Sequence, residues 1–157
     1  MPRTRYTLRQ ILEKAITKEV ESQDLYTMMA DRVHEPGVKT ELLGLVDLER
    51  EHQEMLQRYE RGGIQDGALG LSEPVDWKIA EHLEQPAIAP DMQLRDVFLL
   101  AANREKASHE FYHGLANLHR RGAVRTMFEQ LAAAEAQHKR RVEFLFTEVA
   151  FPQTDGG

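Results

Sequence analysis

An all-α fold is predicted for this chain: a four-helix bundle of two pseudo-repeated helical hairpins with one long crossover between them. Three observations predict it. Four segments carry apolar residues at helical spacing. The chain matches itself, without gaps, when shifted by 86 positions. Its Gly- and Pro-rich stretch, from Gly62 to Pro90, falls between the second and third segments. A length of 157 residues is enough for one domain with a sizeable core. That domain divides into a hairpin at about 8–60, a crossover at about 61–91 and a second hairpin at about 92–149.

The first helix is expected from about Leu8 to Val33, where Thr7 and Gln10 have the spacing of a capping box. Its inward stripe is Leu8, Ile11 or Leu12, Ala15, Ser22, Tyr26 and Met29. His34-Glu35-Pro36-Gly37 reads as a tight turn. The second helix, about Val38 to Arg58, places Val38, Leu42, Leu45 and Leu56 on one face. In the crossover a short helix is expected around Val75–Leu83, with Trp77 anchoring the link along the bundle. The third helix runs from about Gln93 to His119 with Asp91 as its cap, and carries Val97 and Phe98, Ala101, Ser108, Tyr112 and Leu115. Arg120-Arg121-Gly122 makes the next turn. The fourth helix, about Ala123 to Val149, carries Val124, Phe128, Leu131, Val142 and Leu145.

Composition narrows the function. The net charge is −6 and no basic run stands out, so nucleic acid is not an expected partner. There is no cysteine, which excludes disulfides, zinc fingers and iron–sulfur clusters on these residues; any metal must be held by nitrogen and oxygen. The N-terminal residues lack a signal-peptide core, and the longest apolar stretch, Val97 to Ala102, is too short to span a bilayer. No membrane partner and a cytoplasmic location are expected.

Each apolar stripe is interrupted near its middle by ionisable residues. They are Glu19 on the first helix, Glu49 with His52 on the second, Glu105 on the third, and Glu135 with His138 on the fourth. Glu and His three apart share one helix face. Glu19 and Glu49 are each fifteen residues from His34, and Glu105 and Glu135 each fifteen from Arg120. In an antiparallel hairpin each pair is therefore level, roughly 22 Å from its turn. Unpartnered charges at that depth are strongly unfavourable. Two divalent cations neutralise four carboxylates and use both imidazoles. One Glu from each of two helices plus Glu-x-x-His from each of the other two is the ligand set of di-iron and di-manganese carboxylate bundles. Oxygen-rich ligands with one imidazole per metal favour two Fe or two Mn ions over zinc or copper.

A third Glu-x-x-His, Glu110 to His113, lies about 140° around the helix from Glu105 and reads as solvated. Tyr26 and Tyr112 follow Glu19 and Glu105 by seven residues on the same face, either as donors to metal-binding carboxylates or as ordinary core tyrosines. His109 reads either as an additional ligand or as a polar residue at the stripe's edge. His34, His82, His113 and His119 read as surface or turn residues.

Glu19 with Tyr26, then Leu48-Glu49-Arg50-Glu51-His52, and again Glu105 with Tyr112, then Ala134-Glu135-Ala136-Gln137-His138, resemble the rubrerythrin branch of the ferritin-like superfamily. The resemblance spans about Leu8 to Phe146. It implies a ferritin-like bundle, a non-haem di-iron centre and reduction of hydrogen peroxide or O2. It also implies a homodimer. Rubrerythrins carry a rubredoxin domain, and these residues have no cysteine to build its iron site, so an external electron donor (rubredoxin-like or a flavoprotein) is the expectation. They also carry an extra carboxylate where this chain has Ser108, which makes this site more symmetric and closer to the bacterioferritin type. Ferroxidation with iron storage or transfer, and a metal-free structural bundle, are the alternative functions.

Overall fold

In the computed structural model the described residues are 6–65, 70–72, 74–75, 88–89 and 91–150. They form four long helices, α1 (Leu8–Arg32), α2 (Pro36–Glu60), α3 (Leu94–Leu118) and α4 (Ala123–Ala150). A two-residue antiparallel pair, β1 (Tyr6–Thr7) and β2 (Pro74–Val75), accompanies them. The helices are all-α in register with the sequence periodicity. The expected short helix around Val75–Leu83 and the anchoring role of Trp77 fall mainly outside the described residues; Val75 itself pairs with Tyr6.

Local chemistry sets the helix ends. Thr7 is extended and its hydroxyl accepts from the Gln10 N–H, while the Gln10 side chain accepts from the Thr7 N–H, a complete capping box. Helix α2 starts at Pro36, two residues earlier than periodicity alone indicates, because a proline in the first turn needs no N–H partner. It ends at Glu60, and after the C-cap Arg61 the φ of 80° at Gly62 turns the chain so that the Gly63 N–H reaches the Arg58 carbonyl at 2.8 Å. Helix α3 is not capped by Asp91. Its N-cap is Gln93, with no side-chain hydrogen bond, and Asp91 is exposed.

The core consists of two apolar clusters, one at each end of the bundle. One joins the start of α1 (Leu8, Ile11, Leu12), the end of α2 (Leu56, Tyr59), the end of α3 (Phe111, Leu115) and the start of α4 (Val124, Phe128). The other joins the end of α1 (Met29, Val33), the start of α2 (Val38, Leu42), the start of α3 (Val97, Phe98) and the end of α4 (Val142, Leu145). The hairpins are thus inverted relative to each other, as the 86-residue repeat predicts. Each fully buried Leu or Phe contributes roughly 1.5–3 kcal/mol, and between the clusters lies a belt of buried ionisable residues.

The crossover connects opposite ends. Near α2's end, the Arg9 N–H donates to the Leu71 carbonyl at 2.9 Å, beside the β1–β2 pair. Near α3's start, the Arg32 guanidinium donates to the Met92 carbonyl at 2.8 Å. Among the described residues no helix is long and apolar enough to cross a membrane. His119 is a correction: it is buried, with Nε2 3.0 Å from the Tyr59 hydroxyl and Nδ1 2.8 Å from the Leu115 carbonyl oxygen.

Candidate metal centre

The inward faces of the four helices bring Glu19, Glu49, His52, Glu105, Glu135 and His138 together between the two apolar clusters. Glu19, Glu49 and Glu135 are fully buried and Glu105 is 2% exposed. Their potential ligand atoms fall into two overlapping groups: Glu19, Glu49, His52 and Glu135, and Glu49, Glu105, Glu135 and His138. Within each group those atoms lie within 4.8 Å of one another. Glu49 and Glu135 belong to both and would serve both ions of a pair, with Glu19 and His52 completing the ligands of one and Glu105 and His138 those of the other.

The contacts obey the repeat and link the hairpins to each other. Tyr26 donates its hydroxyl to Glu105 Oε1 at 2.5 Å, and Tyr112 donates to Glu19 Oε1 at 2.5 Å. The tyrosines therefore hold the glutamate of the opposite hairpin, not the one that precedes them in sequence. His52 Nδ1 pairs with Glu135 Oε1 at 2.9 Å, and His138 Nδ1 with Glu49 Oε1 at 2.7 Å. The two imidazoles stack at 5.5 Å with an interplanar angle of 13°. His109 stands apart: its Nδ1 meets the Ala132 carbonyl oxygen at 2.7 Å, the edge position foreseen for an ordinary polar residue. Ser108, fully buried, turns its hydroxyl back to the Arg104 carbonyl at 2.8 Å.

Periodicity had a further residue to offer that the Glu and His pattern overlooks. Lys18 is 5% exposed, and its Nζ lies 3.9 Å from both Glu19 Oε1 and Glu135 Oε2. It shares the stripe of Ala15, Ser22 and Leu25, all buried, so its inward position was readable from spacing.

The electrostatics are those of crowded anions in a dry place. Burial, then the neighbouring carboxylates, push Glu49 and Glu105 well above the ordinary range. Glu135 is held below it: burial opposes its charge, but Lys18, the neighbouring Glu105 carboxyl and the hydrogen bond with His52 prevail. Lys18 is raised because the four carboxylates outweigh its burial. His52 is raised against burial by Glu135 and Glu19. His138 is lowered to about 4 by burial and by the positive charges of His52, Lys18 and Arg141, with Glu135 opposing. One oxygen of each glutamate, Oε2 of Glu19, Glu49, Glu105 and Glu135, has no hydrogen-bond partner. Buried acceptors left this way are unfavourable by about 1–3 kcal/mol or more each, and the donor set is the oxygen-and-imidazole type that divalent iron or manganese accepts. The residues fit a pair of such ions.

No family model and no curated protein matches the chain. Solved structures do. A hypothetical protein from Pyrococcus furiosus superposes with a TM-score of 0.74 at 17% identity, covering 95% of this chain and 94% of that one. A Thermotoga maritima protein described as a ferritin-like diiron-carboxylate protein superposes with a TM-score of 0.71 at 21% identity, covering 92% and 97%. The fold is therefore ferritin-like, and its buried belt of carboxylates and imidazoles is suited to two metals.

Proposed function

We propose that this chain is a non-haem di-iron oxidoreductase that reduces hydrogen peroxide, or O2, with electrons from a separate donor protein. The observation that carries the reading is the overlap of the two ligand groups in Glu49 and Glu135. A bound iron pair supplies two electrons, one from each ferrous ion; with two protons these take hydrogen peroxide to two waters.

The chain's own residues do the rest. Glu19, Glu49, His52, Glu105, Glu135 and His138 are the proposed ligands. Tyr26 and Tyr112 fix the orientation of Glu105 and Glu19 through their hydroxyls. The apolar clusters above and below exclude water from the belt. The donor is proposed to be rubredoxin-like or a flavoprotein, and the assembly a homodimer in the cytoplasm.

A second reading, ferroxidation with iron storage or transfer, is favoured by one observation. Ser108 occupies the place of an extra carboxylate and is buried beside the belt, leaving a symmetric ligand set. Anaerobic loading with Fe(II), then stopped-flow mixing with O2 and with peroxide in parallel, separates the two. Oxidation at least tenfold faster by peroxide is expected. Faster oxidation by O2, with uptake beyond two irons per chain, would favour ferroxidation.

A further inference from the structure

Lys18 carries a charge that the six proposed ligands do not need. Four carboxylates and two divalent cations balance to zero, so a protonated Lys18 among them leaves one positive charge in excess. An ammonium has three N–H donors. Here none has a hydrogen-bond partner, although the side chain is almost wholly buried. The nearest carboxylate oxygens, on Glu19 and Glu135, are 3.9 Å away, beyond the roughly 3.2 Å reach of a hydrogen bond. A buried donor without an acceptor is unfavourable and calls for one.

The repeat sharpens the point. The residue equivalent to Lys18 is Arg104, 86 positions on. Arg104 instead donates its guanidinium to Glu21 Oε2 at 3.2 Å, while its Nε is buried without a hydrogen-bond partner. The two halves are alike in all six proposed ligands and both tyrosines, yet among the described residues Lys18 lies 3.9 Å from two belt carboxylates while its counterpart Arg104 pairs with Glu21. The excess charge is therefore on the Glu19–His52 side.

We propose that Lys18 is an anion-holding residue: its ammonium binds one small monoanion, of the hydroxide, azide or hydroperoxide class, beside the metals on the Glu19–His52 side. This inference rests on the metal-centre reading above and deepens it, since hydroperoxide is the anion of the proposed substrate. It assigns Lys18 the selection of an anionic over a neutral ligand and makes one end of a symmetric site the ligand-binding end.

Azide is the probe. Wild-type protein loaded with two irons per chain and oxidised is titrated with sodium azide, following the azide-to-iron charge-transfer absorbance. Lys18→Met and Lys18→Gln are measured in parallel, with iron content and helical circular dichroism recorded for each. Two irons per chain and an azide affinity at least tenfold weaker than wild type are expected in both variants, and Lys18→Arg should stay within about threefold. Azide affinity within threefold of wild type in either loaded variant would overturn the inference, leaving Lys18 as a counter-charge for the metal-free carboxylates. Failure of both variants to load iron would also overturn it, because removing a cation should not weaken cation binding. Wild-type protein that takes up no iron would instead defeat the metal-centre reading itself.

Discussion

Tyr26 and Tyr112 each give a hydroxyl to a glutamate of the other hairpin, so their contribution is to fix a carboxylate that belongs to the opposite half. Replacing either with Phe keeps the ring in the core and removes only that bond. Metal affinity is expected to fall roughly tenfold for each variant, and equally for both because the two contacts are equivalent. Isothermal titration with Mn(II) measures it; an unchanged affinity in both would show that the carboxylates need no such support. The partnership of tyrosine and glutamate was legible in the sequence, since the seven-residue spacing puts them on one face. Its crossed form was not, because that depends on which side chains meet across the bundle. Lys18 was missed for a different reason: lysine is usually read as solvated, and only its place in the Ala15–Ser22–Leu25 stripe marks it as buried.

His119 ties the stability of the fold to pH. Burial lowers its pKa from the ordinary 6.5, opposed by its bond to the Leu115 carbonyl. A histidine kept neutral in the fold contributes stability that is complete above pH 6.5. That contribution is lost as pH falls through 6.5 toward the folded value, where the unfolded chain takes up the proton first. Urea unfolding of the metal-free protein should therefore show a loss between pH 7 and pH 5.5 that His119→Gln reduces, by less than about 1.4 kcal/mol per pH unit. An identical pH slope in the variant would contradict this.

Helices are where sequence reading did best. The capping box at Thr7 and Gln10, both turns and the inward stripes all follow from local spacing, which a helix reports directly. Thr7→Ala is expected to destabilise the protein by about 1 kcal/mol in denaturant unfolding, and no loss would mean that the β1–β2 pair alone holds the start of α1. That pair was not legible. Two residues of strand have no periodicity, and Tyr6 meets Val75 only because the crossover returns to the start of α1. Asp91 misled for a related reason: a good capping residue close to a helix start is ignored when the chain's path makes Gln93 the first extended position.

The whole molecule is a two-fold device assembled from one repeated hairpin. The 86-residue shift made that symmetry readable before any coordinates, and with it the level at which six ionisable groups meet. Symmetry also sets the cost of the belt, because the same carboxylates converge from both sides. Burial and the neighbouring carboxylates raise Glu49 and Glu105 well above the ordinary range, so in the metal-free protein they take up protons more readily than exposed carboxylates do. Metal loading should therefore release protons and weaken as pH falls. Titration in buffers of different ionisation enthalpy measures this, and a pH-independent affinity with no proton release would contradict it. Because the ions bind only the folded belt, chelation should also lower the melting temperature.

Whether the belt holds two metals is decided by an anomalous difference map, recorded at the iron edge, from crystals loaded anaerobically with Fe(II). Two peaks are predicted per chain, both between Glu49 and Glu135, one next to His52 and the other next to His138. A belt without anomalous density, or iron bound only elsewhere on the chain, would contradict it.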